Sequence, residues 1–152
     1  LVQAARGQDG LPVGHDAWEI RRAENGLPWY AIDFSGDNFP QEARLGHLVN
    51  YSKGCFRGQE TLARIHHRGH VNRLLVGLVL ADEQNPEGLN ELALARPTSV
   101  VLSYRLEQIL TLGYVPAKSG DPGSEVALEL ENGLARMRVV DLPLTPGPST
   151  NR

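Results

Sequence analysis

Residues 53–60, Lys53-Gly54-Cys55-Phe56-Arg57-Gly58-Gln59-Glu60, gather more chemically capable residue types than any other stretch of this chain. Two glycines bracket three residues just ahead of a helix expected to begin near Gln59. Glycine there permits tight or left-handed backbone and close approach of a ligand. A helix start aims free N–H groups at whatever precedes it, and Lys53 and Arg57 add positive charge. The set describes either an anion site or a tight turn with solvated bases, and spacing alone leaves both open. It is not a Walker loop, because the Gly-Lys-Ser/Thr ending is absent. Cys55 lies between two cations and near a helix start, surroundings that favour thiolate. The alternative is a small, inert apolar residue.

Glu24 is the second candidate. A helix is expected over residues 15–25, and Glu24 lies four residues after Ile20 and seven after Ala17. That spacing places it on the apolar face and turns its carboxylate inward. An inward carboxylate needs a partner. Arg21 or Arg44 would serve as a structural ion pair. A heteroaromatic ligand with paired N–H groups would serve as well, since a carboxylate accepts two parallel bonds. His66 and His70 have the i, i+4 spacing of a zinc pair. No Glu occupies the HExxH position and a single cysteine is present, so solvated basic side chains are expected there instead.

These residues must be positioned by short elements. The first expected helix stops at Gly26, with Pro28 following. Residues 29–34 are rich in β-formers and read as a strand. Residues 41–48 read as a helical turn, 49–52 as an extended piece, and 59–69 as a second helix. After Arg73 the character changes. The apolar run 74–80 reads as a buried strand, followed by a mixed stretch over 81–97 with a turn at Asn85-Pro86-Glu87-Gly88. Strands are expected over 100–104 and 109–115. Residues 126–140 alternate around Asn132-Gly133, the signature of a hairpin with a type I′ turn. Residues 1–6 read as the end of an element, 7–14 as a loop, and 146–152 as a disordered tail.

Composition sets the limits. The chain has 152 residues, 41% of them AVILMFWYC types and 22% charged, which excludes whole-chain disorder. No apolar run approaches the roughly 20 residues of a membrane span. One cysteine excludes an intrachain disulfide framework and fits a reducing compartment, so a cytoplasmic location is expected. The formal charge is −3, which does not describe a general nucleic-acid or membrane binder. Between Tyr51 and Leu75, however, five Lys or Arg and three histidines face a single acid, Glu60. The expected class is α+β followed by a small all-β unit, with a boundary near Arg73. The chain begins with Leu1, and it is expected to be a piece of a longer protein.

Several of these motifs together resemble a known family. Arg22-Ala23-Glu24-Asn25-Gly26-Leu27-Pro28 resembles the R-x-E-x-G-x-P helix end of the folate-binding aminomethyltransferase superfamily. Phe39-Pro40-Gln41-Glu42-Ala43 resembles the P-x-E-A element that follows it. The octapeptide 53–60 resembles the K-G-C-[YF]-x-G-Q-E signature of the YgfZ branch, and Ala63-Arg64, Arg68-Gly69 and Asn72-Arg73 continue that branch's pattern. The likeness covers residues 15–80 well. Farther on, Leu112-Gly113-Tyr114 and Leu142-Pro143 match, whereas residues 106–112 replace the family's glycine-rich barrel segment.

The resemblance implies the end of a central α+β folate-binding domain over residues 1–73 and a C-terminal antiparallel β-barrel over 74–145. It implies tetrahydrofolate as cofactor, with Glu24 holding the pterin and Lys53, Arg57 and Gln59 near its anionic tail. Cys55 would handle redox or cluster chemistry. The function implied first is support of iron–sulfur enzyme assembly or repair, with reduced folate and iron–sulfur client proteins as partners. The alternative is an aminomethyltransferase passing a one-carbon unit to tetrahydrofolate, its catalytic aspartate lying before Leu1. A third is a binding module without folate, in which Glu24 pairs with Arg44.

Overall fold

The computed structural model describes residues 11–81 and 87–144. The expectations for residues 1–10, for Asn85-Pro86 and for the tail lie outside those residues. Five strands close into a barrel: β1 Arg73–Leu80, β2 Leu94–Ser103, β3 Gln108–Pro116, β4 Glu125–Leu130 and β5 Gly133–Val140. Around the barrel they run β1-β3-β2-β4-β5 and back to β1. Alternation along each strand decides what fills it. Val76, Leu78, Val115, Val126, Met137 and Val139 point inward and form the barrel core. Leu75, Val79, Leu110, Leu112 and Tyr114 point outward and pack around Ala23 of the first helix, α1 (His15–Glu24). Both faces of β1 are therefore covered, which is why its sequence is a nearly unbroken apolar run.

The expected antiparallel barrel is in fact mixed. β2 and β4 run parallel, pairing at Leu94↔Ala127 and Ala95↔Leu128, while the other four pairings are antiparallel. The reason is parity: five strands in a closed ring cannot all alternate in direction, so at least one neighbouring pair must be parallel. The turn between β4 and β5 also departs from expectation. Leu130 pairs with Gly133, and among positions 131–133 only Gly133 has positive φ, at 120°. A type I′ turn needs positive φ at both central residues, so this is a different hairpin turn.

β2 begins at Leu94, well before the expected strand. Arg96 pairs with Tyr114 and Pro97 with Gly113, then the register slips so that Ser99 pairs with Leu112. Pro97 cannot donate to a ladder, and an irregularity is where proline is tolerated within a sheet. The mixed appearance of residues 81–97 hid this strand start. Residues 49–52 are not a strand either. Asn50 Oδ1 accepts the backbone N–H groups of Ser52 and Lys53, at 2.9 and 3.2 Å, and curls the chain into a turn. Helix α2 (Gln59–Arg68) forms as expected and stops before Gly69.

Residues 29–34 are wound into turns rather than extended, with Ala31 at φ 67° and an isolated Tyr30↔Phe34 bridge. They wind around Asp33, which is 2% exposed. Its carboxylate accepts bonds from Arg22 Nη1 (2.7 Å), Trp29 N–H (2.8 Å), Thr98 Oγ1 and Ser99 Oγ (both 2.6 Å). Arg22, also 2% exposed, further donates to Glu19 Oε2 and Ser99 Oγ at 2.8 Å each. Burial works against the Arg22 charge. The Glu19 hydrogen bond and the fields of Asp33 and Glu19 outweigh it and hold the guanidinium pKa above its ordinary value. One network thus fastens α1, the 29–34 turn and β2 together.

Breaking a buried pair from one side leaves an uncompensated charge. Asp33→Asn is therefore expected to lower unfolding free energy by about 3 kcal/mol in urea, and Ser99→Ala by about 1 kcal/mol. Indistinguishable curves would remove the network from its structural role. A second expectation concerns alkaline pH. Burial pushes the Tyr114 phenol up to about 12, against the opposing pull of Arg73. The folded chain holds this proton more tightly than the unfolded chain, whose phenols titrate near ~10. The stability is complete below pH ~10 and is lost as pH rises toward 12. In an absorbance titration of the four tyrosines, Tyr114→Phe should remove the last-ionising one.

Candidate functional site

Helix α1 is held at its C-terminal end. Gly26, at φ 66°, lets its N–H bond Ala23 O while Leu27 N–H bonds Arg22 O, both at 2.9 Å, which closes the helix with a Schellman motif. The buried residues of the helix are Arg22, Ala23 and Glu24. Ala17, expected on the inward face, is exposed, because only the last turn reaches the barrel. Behind that turn, Leu142 packs within 3 Å of where a Gly26 Cβ would lie, and Leu144 N–H bonds Glu24 O at 2.7 Å. The chain after β5 thus straps the helix end down.

Glu24 is 6% exposed. Its Oε1 accepts the Ser103 hydroxyl at 2.7 Å, and Ser103 Oγ in turn accepts Leu106 N–H at 3.2 Å. Its Oε2 has a loose contact with Arg21 Nη1 at 3.8 Å. Arg44 does not pair with it: Arg44 Nε donates to Leu75 O at 2.7 Å. Beside the carboxylate opens a cleft of about 390 Å³ lined by Ala17, Ile20, Arg21, Glu24, Tyr104 and Arg105. Tyr104 and Arg105 come from the β2–β3 turn, held by Glu107 at φ 54°. One carboxylate oxygen is fixed by Ser103, the other has only the 3.8 Å contact with Arg21, and the residue borders the cleft. That arrangement suits a ligand with adjacent N–H donors.

The basic loop stands apart from this cleft. Lys53, Cys55 and Arg57 are exposed, and none of residues 53–59 lines the cleft. Lys53 Nζ sits 4.9 Å from the centre of the Phe56 ring. Gly58 precedes α2 at φ 84°, and Gln59 Oε1 accepts Phe56 N–H at 3.3 Å, tying the loop to the helix start. His66 stacks on Tyr51 at 4.3 Å. Among the described residues no three His, Cys, Asp or Glu side chains converge as metal ligands, and no helix is long and apolar enough to cross a membrane. Sequence reasoning missed Ser103 as the partner of Glu24. The two are 79 positions apart, and a serine in a strand gives no local signal of such a bond.

Comparison with known proteins places this geometry in context. No family model matches the chain. The aminomethyltransferase of Symbiobacterium thermophilum is 32% identical over 97% of the chain and 41% of that protein. The aminomethyltransferase of Moorella thermoacetica is 33% identical over 97% of the chain and 42% of that protein. The chain therefore spans about two fifths of the length of these relatives. The crystal structure of the glycine cleavage system aminomethyltransferase T from Bartonella henselae superposes with a TM-score of 0.72 at 24% identity, over 95% of this chain and 44% of the other. These relatives overturn the expected role in iron–sulfur assembly or repair. The likeness to aminomethyltransferases runs along nearly the whole chain, whereas that expectation leaned on the octapeptide with its cysteine and the short motifs that follow it up to Arg73. Iron–sulfur client proteins lose their support with it. By sequence the chain belongs to the aminomethyltransferase superfamily, and its fold is that of the matched portion of the Bartonella structure.

Proposed function

We propose that this chain serves a tetrahydrofolate-dependent aminomethyltransferase, in which Glu24 holds the pterin ring. The observation that carries the proposal is the buried Glu24 carboxylate, fixed by Ser103 on one oxygen, in a residue that borders a cleft. A pterin presents a ring N–H beside an amino group, the paired donors that a carboxylate accepts in parallel. Tetrahydrofolate supplies the amine nitrogens that take up a one-carbon unit. Tyr104 borders the same cleft and offers an aromatic face to a planar ring. Ser103 acts as a positioning residue, since it sets the rotamer of Glu24. The relatives named aminomethyltransferase support the reaction class.

Lys53 and Arg57 supply positive charge for the carboxylates of the folate tail, and Gln59 keeps their loop in place. The octapeptide 53–60 gives this loop a YgfZ-like form, a variation on the same superfamily scaffold.

Glu24→Gln keeps the side-chain volume and the bond to Ser103 but loses one acceptor and the charge. The variant is expected to stay folded and to bind a reduced folate at least tenfold more weakly by calorimetric titration, a difference of about 1.4 kcal/mol. Ser103→Ala should weaken binding several-fold by freeing the Glu24 side chain. Unchanged affinity in a folded Glu24→Gln protein would remove the pterin from this cleft.

A further inference from the structure

We propose that Arg73, Tyr114 and Arg96, on the outer face of the barrel, form a binding site for a small-molecule oxyanion, carboxylate or phosphate. Strand register puts them in one row. Tyr114 of β3 is paired with Leu75 of β1 on one side and with Arg96 of β2 on the other. Arg73 lies two residues before Leu75 and so shares its face. Together with Asn72 they line a depression of about 490 Å³, which shares no residue with the Glu24 cleft. The strands are pressed together here: a Cβ on Gly113 would lie 2.8 Å from Arg96 O. The backbone that carries the row therefore has little freedom to shift.

The polar groups of this depression are donors in excess. Arg73 spends Nε and Nη2 on Glu42, at 3.2 and 3.3 Å, and keeps Nη1. Arg96 is exposed and has no acidic partner among the described residues. No acid lines the depression, and Asn72 brings an amide; the nearest carboxylates, Glu42 and Asp33, lie behind it, where their charges act on the Tyr114 phenol. Tyr114 is the independent observation. It is 7% exposed, it walls the depression, and its hydroxyl is shut from solvent with no hydrogen-bond partner. A buried hydroxyl without a partner is a standing cost, and such groups in folded proteins call for an explanation. The Arg73 guanidinium sits 5.2 Å from the centre of the Tyr114 ring. Its side chain is 38% exposed. Two forked cations flanking Tyr114, whose O–H is an unused donor, match the oxygens of a carboxylate or phosphate.

The test titrates the protein with sodium phosphate and, separately, with sodium succinate. Ionic strength is held constant with chloride, and binding is read by amide chemical shifts in NMR and by the thermal midpoint. Saturable binding of one or both is expected, with the stronger probe naming the phosphate or the carboxylate class. Arg96→Gln is expected to weaken that binding at least tenfold. Tyr114→Phe is expected to weaken it several-fold while raising the thermal midpoint without ligand, because it deletes the unpartnered hydroxyl. A merely structural hydroxyl would raise the midpoint and leave affinity unchanged. No saturable binding of either probe, or affinity unchanged in either variant, overturns the proposal.

Discussion

The buried pair between Arg22 and Asp33 is the constraint on which the arrangement of this molecule depends. Removing two charges from water is expensive, and a close ion pair alone rarely repays that cost. Here the cost is met by hydrogen bonds. The Asp33 carboxylate accepts four, from one guanidinium, two hydroxyls and one backbone N–H. An apolar cluster of the same volume would hold the layers together with less penalty, yet it would not fix their relative orientation. Directional bonds from three separate segments leave the helix one angle at which to meet the barrel.

That fixed angle explains the environment of Glu24. Arg22, Ala23 and Glu24 are consecutive, so their side chains spread over about 200° of the helix surface, at about 100° per residue. All three are nevertheless buried. This is possible only where the helix runs into a junction with cover on several sides. Arg22 enters the network under the 29–34 turn, Ala23 meets the barrel's outer face, and Glu24 lies against Ser103 where the strap of residues 142–144 crosses. A carboxylate at such a junction is pre-positioned by its scaffold. Its pairing with Ser103 fixes the side chain, whose freedom is already lost in folding.

Legibility in the sequence followed the range of the determining interactions. Helix ends at Gly26 and Gly69, the alternation of β4 and β5, and the apolar run of β1 are local patterns, and each formed where its pattern lay. Residues 29–34 misled because Trp, Tyr, Ile and Phe favour strands, while the shape is dictated by Asp33 gathering donors from residues up to 66 positions away. The closed barrel was foreseen, but not its parallel pair, since strand count constrains direction only after closure is known. Glu24 was legible as an inward carboxylate, though its partner was not. The octapeptide carried too much weight: a distinctive loop is evidence about that loop, and similarity along the whole chain is the better guide to the reaction class.

The register slip in β2 connects these observations. Side chains alternate along a strand, so Arg96, Ser99 and Ser103 could not all face outward from a regular one. Before the slip, even-numbered Arg96 pairs with outward Tyr114. After it, odd-numbered Ser99 and Val101 pair with outward Leu112 and Leu110. The extra residue, Thr98, is not idle, because its hydroxyl contacts both Asp33 and Leu112 O. In a regular strand Ser99 and Ser103 would point into the barrel core, leaving Arg22 and Glu24 without hydroxyl partners. The irregularity at Pro97 therefore lets a single strand present a cation near one end and the Glu24 partner near the other. At about 3.3 Å per residue these lie roughly 23 Å apart. Two separate depressions on one small barrel, one beside Arg96 and one beside the Glu24–Ser103 pair, follow from that single inserted residue.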